Sequence, residues 1–565
     1  MRKLTALKLP SIVLTPAQLA AIVAGYLVVA SNSGLFRSLM DRLDAATLSG
    51  ASFLVTIVLL IFFLLVALIL SLGHGAALKP FVGTLLITSS FFAYFSNNLG
   101  VVFDENMFLN AVETIRDRNV AEVQELGSFP LLRHVFLFGI LPTLLLRFVD
   151  IRQRKFVREL GVRVAVLLVG AAILTSAILP NYRYISFFAR ENRDLRLKIT
   201  PIYPLASLVA LTRDQLRSTP QFQIIDAAAL QRDRGEKRLV GIMVVGETAR
   251  ADRFSLGGYA RNTNPQLQTL PGIVFAEADS CGTSTVFSVP CMFSMRKRTN
   301  YEPDLASFES NVLDILTAAG IETTWIENNS SCKGVCNRIE TTNLRENPDP
   351  NSVYFSDFGY FDEVFLEHID NYLGTDGPDT LIVLHTLGSH GPAYGRRYPE
   401  RFGVFTPFCT EQSPTECTDE EVTNAYDNTI VYTDHVLSQL IDRLQSRSGE
   451  IDTFLFYASD HGESLGENGV YLHGLPYAIA PAAQKNVPFI FWSSDEFRRS
   501  QARESRSVAN VEITRRSHDN ISHTLLGLYD IDASSYDRQL DMLAASRPEV
   551  QSQRVSALSS TSGSN

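Results

Sequence analysis

The stretch Arg238-Leu-Val-Gly-Ile-Met-Val-Val245, which runs into Gly246-Glu247, decides the fold of the C-terminal half of the chain. It is apolar, has the length of one buried strand, and is followed directly by a carboxylate. Helical patterns separate it from three similar runs, at 322–327, 380–385 and 453–458. Strands that alternate with helices predict an α/β domain with a mainly parallel central sheet.

Polar residues follow two of these predicted strands directly, Glu247 after the first and Asp460-His461 after the last. In sheets of this kind, ligands bind beyond the carboxyl ends of the strands. A third stretch, Ser280-Cys-Gly-Thr-Ser-Thr-Val-Phe-Ser-Val-Pro-Cys291, places several hydroxyls between two cysteines and ahead of a predicted helix. We expect these stretches, together with Gly388-Ser-His-Gly-Pro-Ala-Tyr394, to converge on one site.

The residue types at these strand ends are typical of a metal site. Aspartate, glutamate and neutral imidazole together favour Zn²⁺, although Mn²⁺ also fits. A bound metal makes a hydroxyl such as that of Thr285 nucleophilic at neutral pH. Each of these residues also has an ordinary structural explanation. Hydroxyls ahead of a helix, for example, most often act as N-caps. Three other hydroxyls compete with Thr285 on chemistry alone: Thr283, Ser284 and Ser288.

The cysteines and the charge narrow the class of protein. All six cysteines lie in the C-terminal half, in three close pairs: Cys281 and Cys291, Cys332 and Cys336, Cys409 and Cys417. An even number in close pairs predicts disulfides between neighbours and an oxidising compartment. A zinc cluster is the alternative, but the chain has no Cys-x-x-Cys pair. The formal net charge of −10 and the lack of a basic stripe argue against nucleic acid as a partner.

The first 180 residues hold five runs long enough to cross a bilayer, which takes about 20 mostly apolar residues. Lysines and arginines at the N-terminus and between the fourth and fifth runs predict that both segments are cytoplasmic. An odd number of spans then places the C-terminal half outside the cytoplasm, in agreement with the cysteines. The predicted spans are 12–30, 51–72, 80–95, 130–149 and 161–179.

The connection 97–128 falls on the same outer side. Its simplest interpretation is a solvated loop, but Asn110, Glu113 and Thr114 share one helical face by their spacing and could meet a lipid headgroup. After the last span, aromatic and basic residues alternate as in helices that lie on a membrane surface. The predicted domains are a transmembrane domain (1–180), a linker with interfacial helices (181–225), a periplasmic catalytic domain (226–544) and a disordered tail (545–565).

Four motifs resemble those of the phosphoethanolamine transferases of the alkaline phosphatase superfamily, and most closely the lipid A-modifying group that includes the mobile colistin-resistance enzymes. The resemblance covers both halves of the chain. One departure is that members often carry further cysteines before His385, where this chain has none and the loop 338–360 is short. The motifs are Val-Gly-Glu-Thr-Ala-Arg (245–250), Cys-Gly-Thr-Ser-Thr (281–285), Ser-His-Gly-Pro-Ala-Tyr (389–394) and Ser-Asp-His-Gly-Glu-Ser-Leu-Gly-Glu-Asn (459–468).

The resemblance implies an alkaline-phosphatase/sulfatase-like fold and a role for each residue of the site. Glu247, Thr285, Asp460 and His461 would bind one Zn²⁺, with Thr285 also the nucleophile. His390 and His473 would lie on the substrate side, where they hold a second zinc or the transferring phosphate. The implied substrate contacts are Asn110, Thr114, Lys333 and Glu463. His385 is interpreted as a histidine of the core.

The implied reaction moves phosphoethanolamine from phosphatidylethanolamine to a phosphate of lipid A through a phospho-threonine. The enzyme would act as a monomer in the bacterial inner membrane, with its catalytic domain in the periplasm. The added amine would lower the negative charge of the outer membrane and its susceptibility to cationic peptides such as polymyxins. The alternatives are transfer of phosphoglycerol or another headgroup, transfer to the lipopolysaccharide core, a soluble-type phosphatase or sulfatase, and a membrane scaffold without activity.

Overall fold

We describe a computed structural model of the chain. It describes residues 12–43, 48–116, 128–152, 154–215, 221–235, 237–346, 348–411, 414–503 and 516–543. The predicted tail 545–565 lies outside these residues, as does part of the predicted loop, 117–127.

The N-terminal half is a bundle of helices. Its two short strands, β1 (Ile12–Leu14) and β2 (Val149–Ile151), pair in parallel. One turn of wider π-helix, Phe136–Ile140, joins two of the helices end to end. The helices are α1 (Pro16–Ser31), α2 (Ser33–Arg42), α3 (Leu48–Leu72), α4 (Leu78–Tyr94), α5 (Glu105–Arg116), α6 (Phe129–Val135), α7 (Leu141–Leu145), α8 (Phe156–Glu191) and α9 (Ile202–Gln215).

Among the described residues, four helical segments are long and apolar enough to cross a membrane: Gly50–Leu72, Gly75–Leu99, Phe129–Phe148 and Phe156–Leu179. The first predicted span is different, because α1 and α2 meet at an angle of 63°. The number of spans is therefore four, or five if this bent pair is one span.

The side chain of Asn32 accounts for the bend between α1 and α2. Its Nδ2 donates to the backbone oxygens of Leu27 (3.1 Å) and Thr200 (2.9 Å), and its Oδ1 accepts from Thr200 N at 2.9 Å. An asparagine that satisfies backbone groups in this way competes with the helical pattern and ends it. Further along, α8 continues to Glu191, past the predicted domain boundary at 180, and the boundaries stay a prediction.

The C-terminal half is built on a seven-stranded sheet in the order β5-β14-β11-β4-β10-β6-β7. The sheet is mixed, because β14 is antiparallel to both of its neighbours while the pairings from β11 to β7 are parallel. Its strands are β4 (Leu239–Gly246), β5 (Val274–Asp279), β6 (Glu322–Glu327), β7 (Glu340–Asn343), β10 (Thr380–His385), β11 (Asp452–Ser459) and β14 (Asn486–Ser493).

Short strands and helices complete this half. The strands are β3 (Leu230–Gln231), β8 (Phe355–Ser356), β9 (Gly359–Tyr360), β12 (Ser464–Leu465), β13 (Tyr471–Leu472) and β15 (Ile531–Asp532). The helices are α10 (Thr285–Met292), α11 (Pro303–Ala306), α12 (Val312–Ala318), α13 (Leu366–Ile369), α14 (Asp419–Ser446), α15 (Asp495–Arg503) and α16 (Asp519–Leu528).

Both faces of the sheet are buried at its centre, which explains why the strands β4, β10, β11 and β14 are mostly apolar rather than alternating. Successive side chains of a strand point to opposite faces. In β4, Val240, Ile242 and Val244 join the core that contains α14. Met243 and Val245 join the second core, which contains α10, α12 and α16. The central strand β4 thus ends inside the protein, with Glu247 as its next buried residue.

The two halves meet at the segment that carries His473. Gly100, after the π-helical turn that extends α4, has φ +69°, and a Cβ there would lie 3.2 Å from Gly469 O. Glycine allows both this conformation and this close approach. Beyond it, Val102 packs with Leu475 and Ala480. The membrane half therefore supports one wall of the candidate site.

Candidate metal and nucleophile site

Sheet register brings the predicted carboxylates and histidine together. Ser459 of β11 pairs with Gly246 of β4, so the residues that follow, Asp460 and Glu247, leave the sheet side by side. Asp460, His461 and Glu247 are all fully buried. Three such groups at one strand edge agree with the prediction that the polar ends of parallel strands converge.

Thr285 is the first residue of α10, after the N-cap residue Ser284, and its hydroxyl faces this group. Its Oγ1 lies 3.3 Å from Glu247 Oε2 and 3.4 Å from His461 Nε2. Two of the three competing hydroxyls have backbone partners instead, since Thr283 Oγ1 donates to Leu475 O at 2.6 Å and Ser288 Oγ donates to Asp460 O at 2.5 Å. Geometry therefore separates Thr285 from Thr283 and Ser288, which sequence chemistry left open.

His518, to which sequence reasoning gave no role, holds the Thr285 segment against the end of β11. Its Nδ1 accepts from Cys281 N at 2.9 Å, and its Nε2 lies 2.9 Å from Ser459 O. Burial lowers the pKa of this imidazole to about 4, so it is neutral and can accept at one nitrogen and donate at the other. A histidine more than two hundred residues away in sequence gives no local signal of this contact.

The donor atoms of this group fit a divalent cation. One oxygen or nitrogen from each of Glu247, Asp460 and His461 lies within 4.8 Å of the others. Asp460 Oδ1 accepts from two backbone amides, whereas its buried Oδ2 has no hydrogen-bond partner within the described part of the chain. His461 Nδ1 lies 2.9 Å from Gly462 O, which orients Nε2 toward the other two. Two carboxylates and one imidazole are a donor set that Zn²⁺ takes.

Burial favours the uncharged form of both Asp460 and His461, and a bound cation would reverse this effect for the carboxylate alone. Burial raises the pKa of Asp460 and holds the pKa of His461 well below its usual range. A neutral imidazole is the form that binds a metal. The buried carboxylates, in contrast, need a positive charge to be stable in their ionised form.

Asn329 orients Glu247 and was missed in the sequence. Its Nδ2 donates to Glu247 Oε2 at 2.7 Å and to Thr386 O at 3.0 Å. The backbone N–H of Asn329 donates to Glu327 Oε1, and Glu327 Oε2 lies 3.0 Å from His385 Nδ1. His385 is fully buried, as a core histidine would be, yet it belongs to a chain of contacts that ends at Glu247. The signal was present, because Asn329 follows β6 as Glu247 follows β4.

We expect Asn329→Ala to weaken zinc binding about 10- to 100-fold, the usual cost of removing a group that orients a metal ligand. The measurement is a zinc titration of the purified full chain against a competing chelator. Asn328→Ala is the matched control, since this buried neighbour donates instead to Tyr360 O and Asp362. Equal affinities for the two variants would show that Asn329 does not position Glu247.

A second group of potential ligands adjoins the first. Glu463 accepts from Tyr394 at 2.7 Å and lies 2.8 Å from His473 Nδ1. The His473 ring lies 4.3 Å from the His461 ring and 5.8 Å from the His390 ring, centroid to centroid. Burial, with the positive charge of Arg397, holds the pKa of His390 well below its usual range. The structure thus brings His390 and His473, the two predicted substrate-side histidines, close to the first group of potential ligands.

One of the remaining predicted contacts, Lys333, lines a cavity of about 290 Å³ beside α10. Val286 and Phe287, which follow Thr285, line it together with Lys333 and with Leu109 of α5. The half-buried Asn110 is the next residue of α5, and Thr114 belongs to the same helix, although its side chain is outside the described part. Lys333 Nζ donates to Ser330 Oγ at 2.8 Å.

The three predicted disulfides are confirmed, and each joins neighbours: Cys281–Cys291, Cys332–Cys336 and Cys409–Cys417. The first encloses the start of α10 with Thr285. The second encloses Lys333. Two of the three therefore constrain segments of the candidate site.

Comparison with known proteins places both halves in one family. A family model described as Sulfatase matches residues 240–531, and one described as Phosphoethanolamine transferase EptA/EptB matches residues 59–216. The chain is 36% identical over 535 residues to phosphatidylethanolamine transferase Mcr-1 of Escherichia coli, which covers 92% of this chain and 96% of that protein. It is 34% identical over 548 residues to phosphoethanolamine transferase EptA of Escherichia coli strain K12. That alignment covers 96% of this chain and 98% of EptA.

Solved structures extend this likeness to three dimensions. The integral membrane protein lipooligosaccharide phosphoethanolamine transferase A (EptA) from Neisseria meningitidis matches with a TM-score of 0.89 and 32% identity. The match covers 95% of this chain and 99% of that one, so it includes the helical bundle and the sheet together. The chain is therefore a member of the phosphoethanolamine transferase family that contains Mcr-1 and EptA.

Proposed function

We propose that this protein transfers phosphoethanolamine from phosphatidylethanolamine to a phosphate of lipid A. The observation that carries the proposal is the position of the Thr285 hydroxyl, 3.3 to 3.5 Å from Glu247 and His461 in a buried group of potential metal ligands. The relative EptA is named a phosphoethanolamine transferase and the relative Mcr-1 a phosphatidylethanolamine transferase, and a relative in Escherichia coli K12 is named Kdo(2)-lipid A phosphoethanolamine 7''-transferase. Membership of their family supports the same donor and the same class of acceptor here.

The cation that we propose is Zn²⁺, held by Glu247, Asp460, His461 and the Thr285 oxygen. When bound, zinc lowers the proton affinity of a hydroxyl and offsets negative charge on a phosphate. We propose that His390 and His473 hold the donor's phosphate or a second zinc. We propose Lys333, Glu463, Asn110 and Thr114 as contacts of the phosphoethanolamine group.

The transfer takes two displacements at phosphorus. In the first, Thr285 Oγ1 bonds to the phosphorus of phosphatidylethanolamine while the bond to the glycerol oxygen breaks, and His390 or His473 passes the proton of the Thr285 hydroxyl to the diacylglycerol oxygen. In the second, an oxygen of a lipid A phosphate bonds to the same phosphorus, the Thr285 oxygen leaves, and the proton of the acceptor phosphate returns to it. Phosphoethanolamine is thus carried on Thr285 between the two lipids.

The proposed setting is the bacterial inner membrane. We propose five spans, with the bent pair α1–α2 counted as one, an N-terminus in the cytoplasm and a catalytic domain in the periplasm, because lysines and arginines lie at the N-terminus and between the last two spans. The disulfides support this orientation because they form in oxidising compartments. There, one protein copy would act on lipids of the outer leaflet, and the added amine would reduce the attraction of cationic peptides such as polymyxins.

Two labelled donors offered to the same acceptor test this proposal. The full chain in lipid nanodiscs receives lipid A with phosphatidylethanolamine or phosphatidylglycerol, each labelled in its headgroup. We expect lipid A to gain the mass of phosphoethanolamine from the first donor and no headgroup from the second, by mass spectrometry. A gain of phosphoglycerol, or release of free headgroup phosphate without a lipid acceptor, would overturn the proposal in favour of a phosphoglycerol transferase or a phosphatase.

A further inference from the structure

A cavity of about 470 Å³ lies in the membrane half and plays no part in the site described above. Its walls come from α1, from the π-helical turn after α4 and from α6 and the turn that follows it. Asn97 and Asn98 line it, two to three residues before Gly100, which touches the soluble domain. The cavity is therefore at the end of the bundle that faces the catalytic half.

One part of this cavity is apolar and reaches the surface of the bundle. Tyr26, Val29 and Phe138 line it, and Val29 is 72% exposed and Phe138 41% exposed. A protein interior leaves few voids larger than one water molecule, because an empty void loses the packing contacts of its walls. A space of this volume beside lipid-facing side chains fits a hydrocarbon chain that enters from the side.

The other part of the cavity is polar. Ser33, Asn98 and His134 line it. His134 Nε2 is buried without a hydrogen-bond partner among the described residues, while its ring packs against those of Tyr94 and Phe138, with centroids 5.7 and 4.7 Å away. A buried polar group left unpaired in this way destabilises the folded protein. A ligand with a carbonyl or ether oxygen would satisfy it.

Three basic side chains lie near Asn97, one of the residues that line the cavity. Arg37 donates to the backbone oxygen of Asn97 at 2.9 Å. Arg42 and Lys198 lie close by, with Asp194 paired to Arg42 at 2.7 Å. Burial lowers the pKa of Lys198, and the charges of Arg42 and Arg37 lower it further against the opposing effect of Asp194. Asp194 interacts with Arg42 and Lys198 and offsets part of their charge, so that with Arg37 the group keeps a net positive charge that favours an anion such as a phosphate diester.

We propose that this cavity binds a membrane glycerophospholipid. One acyl chain would lie along Tyr26, Val29 and Phe138, an ester oxygen would meet His134, and the phosphate would meet Arg37. The inference goes beyond the transfer reaction, since it requires no chemistry at Thr285. The lipid is either the donor held near the catalytic domain or a phospholipid of the bulk membrane. The headgroup that the cavity prefers distinguishes the two.

Photocrosslinking tests the cavity directly. The full chain carrying Thr285→Ala is placed in nanodiscs so that no turnover occurs. The probes are phosphatidylethanolamine, phosphatidylglycerol and diacylglycerol, each with a diazirine in one acyl chain. We expect the phospholipid probes to label the peptides around Tyr26 and Phe138 at least fivefold more than the lipid-facing surface of α3, and diacylglycerol to label them less.

Three variants and one control assign the labelling to this cavity. Ala30→Phe fills the space, His134→Phe removes the unpaired nitrogen while it keeps a ring, and Arg37→Gln removes the charge. Ile22→Phe is the matched control, because Ile22 is on the same helix, is 58% exposed and does not line the cavity. We expect Ala30→Phe to reduce the labelling at least fivefold and His134→Phe to reduce it for all three probes, since each carries an ester oxygen. Arg37→Gln should remove the preference for phospholipid over diacylglycerol, and Ile22→Phe should change neither.

Stronger labelling by phosphatidylethanolamine than by phosphatidylglycerol supports a donor site, and equal labelling by the two supports a general phospholipid site. Either result bears on binding alone and stands even if the proposed transfer fails. Labelling that is uniform around the bundle, that Ala30→Phe leaves unchanged, or that diacylglycerol matches in full would overturn the proposal.

Discussion

Replacing Thr285 by alanine will lower phosphoethanolamine transfer by at least roughly 10⁴-fold, because a chain without the nucleophile keeps only binding and electrostatic effects. Thr285 Oγ1 is the hydroxyl of its segment that faces Glu247 and His461. The measurement is single-turnover transfer of labelled headgroup from phosphatidylethanolamine to lipid A, with the full chain in nanodiscs. Tryptic peptides from a reaction without acceptor should carry the headgroup mass on Thr285.

Two further variants make this result specific. Thr285→Ser keeps a hydroxyl at the same place and should retain measurable transfer. Thr283→Ala removes a hydroxyl only two residues away, one that donates to Leu475 O, and should leave the headgroup adduct on Thr285. An adduct on Ser284 or Ser288, or full transfer by Thr285→Ala, would show that the nucleophile has been misassigned.

Asp460→Asn will reduce the affinity for zinc by more than about 100-fold, since losing a group that only orients a ligand already costs 10- to 100-fold. The reason is the buried Asp460 Oδ2, which lacks a hydrogen-bond partner within the described residues and lies 3.3 Å from His461 Nε2, so that both atoms could bind one cation. Asparagine keeps the size and the oxygen that accepts from Thr248 N but removes the charge. Zinc content after dialysis and chelator titration measure the loss.

A second buried aspartate of the same domain provides the control. Asp434 accepts from the amides of Gln266 and Leu267 and lies outside both ligand groups. Asp434→Asn should lower thermal stability while its zinc content stays equal to that of the wild type. If Asp434→Asn loses zinc to the same extent as Asp460→Asn, the loss reflects weakened folding and the metal assignment fails.

Much of the site was predictable from local sequence because it follows from chain direction. A polar residue directly after an apolar strand must lie at the carboxyl edge of the sheet, so Glu247 and Asp460-His461 could be named before the sheet order was known. The disulfides were predictable for a similar reason, since cysteines 4 to 10 residues apart meet at small cost in chain entropy. Neither inference needed a long-range contact.

Other features depend on residues far apart in the chain and left no local pattern. Asn32 bends the first span because it meets Thr200, and His518 holds the Thr285 segment because it meets Cys281. The choice of Thr285 over Thr283 and Ser288 depends on which hydroxyl already has a backbone partner. Composition and periodicity encode apolar faces and strand ends, whereas the pairing of one buried polar group with another is specified only when the helices and the sheet pack together.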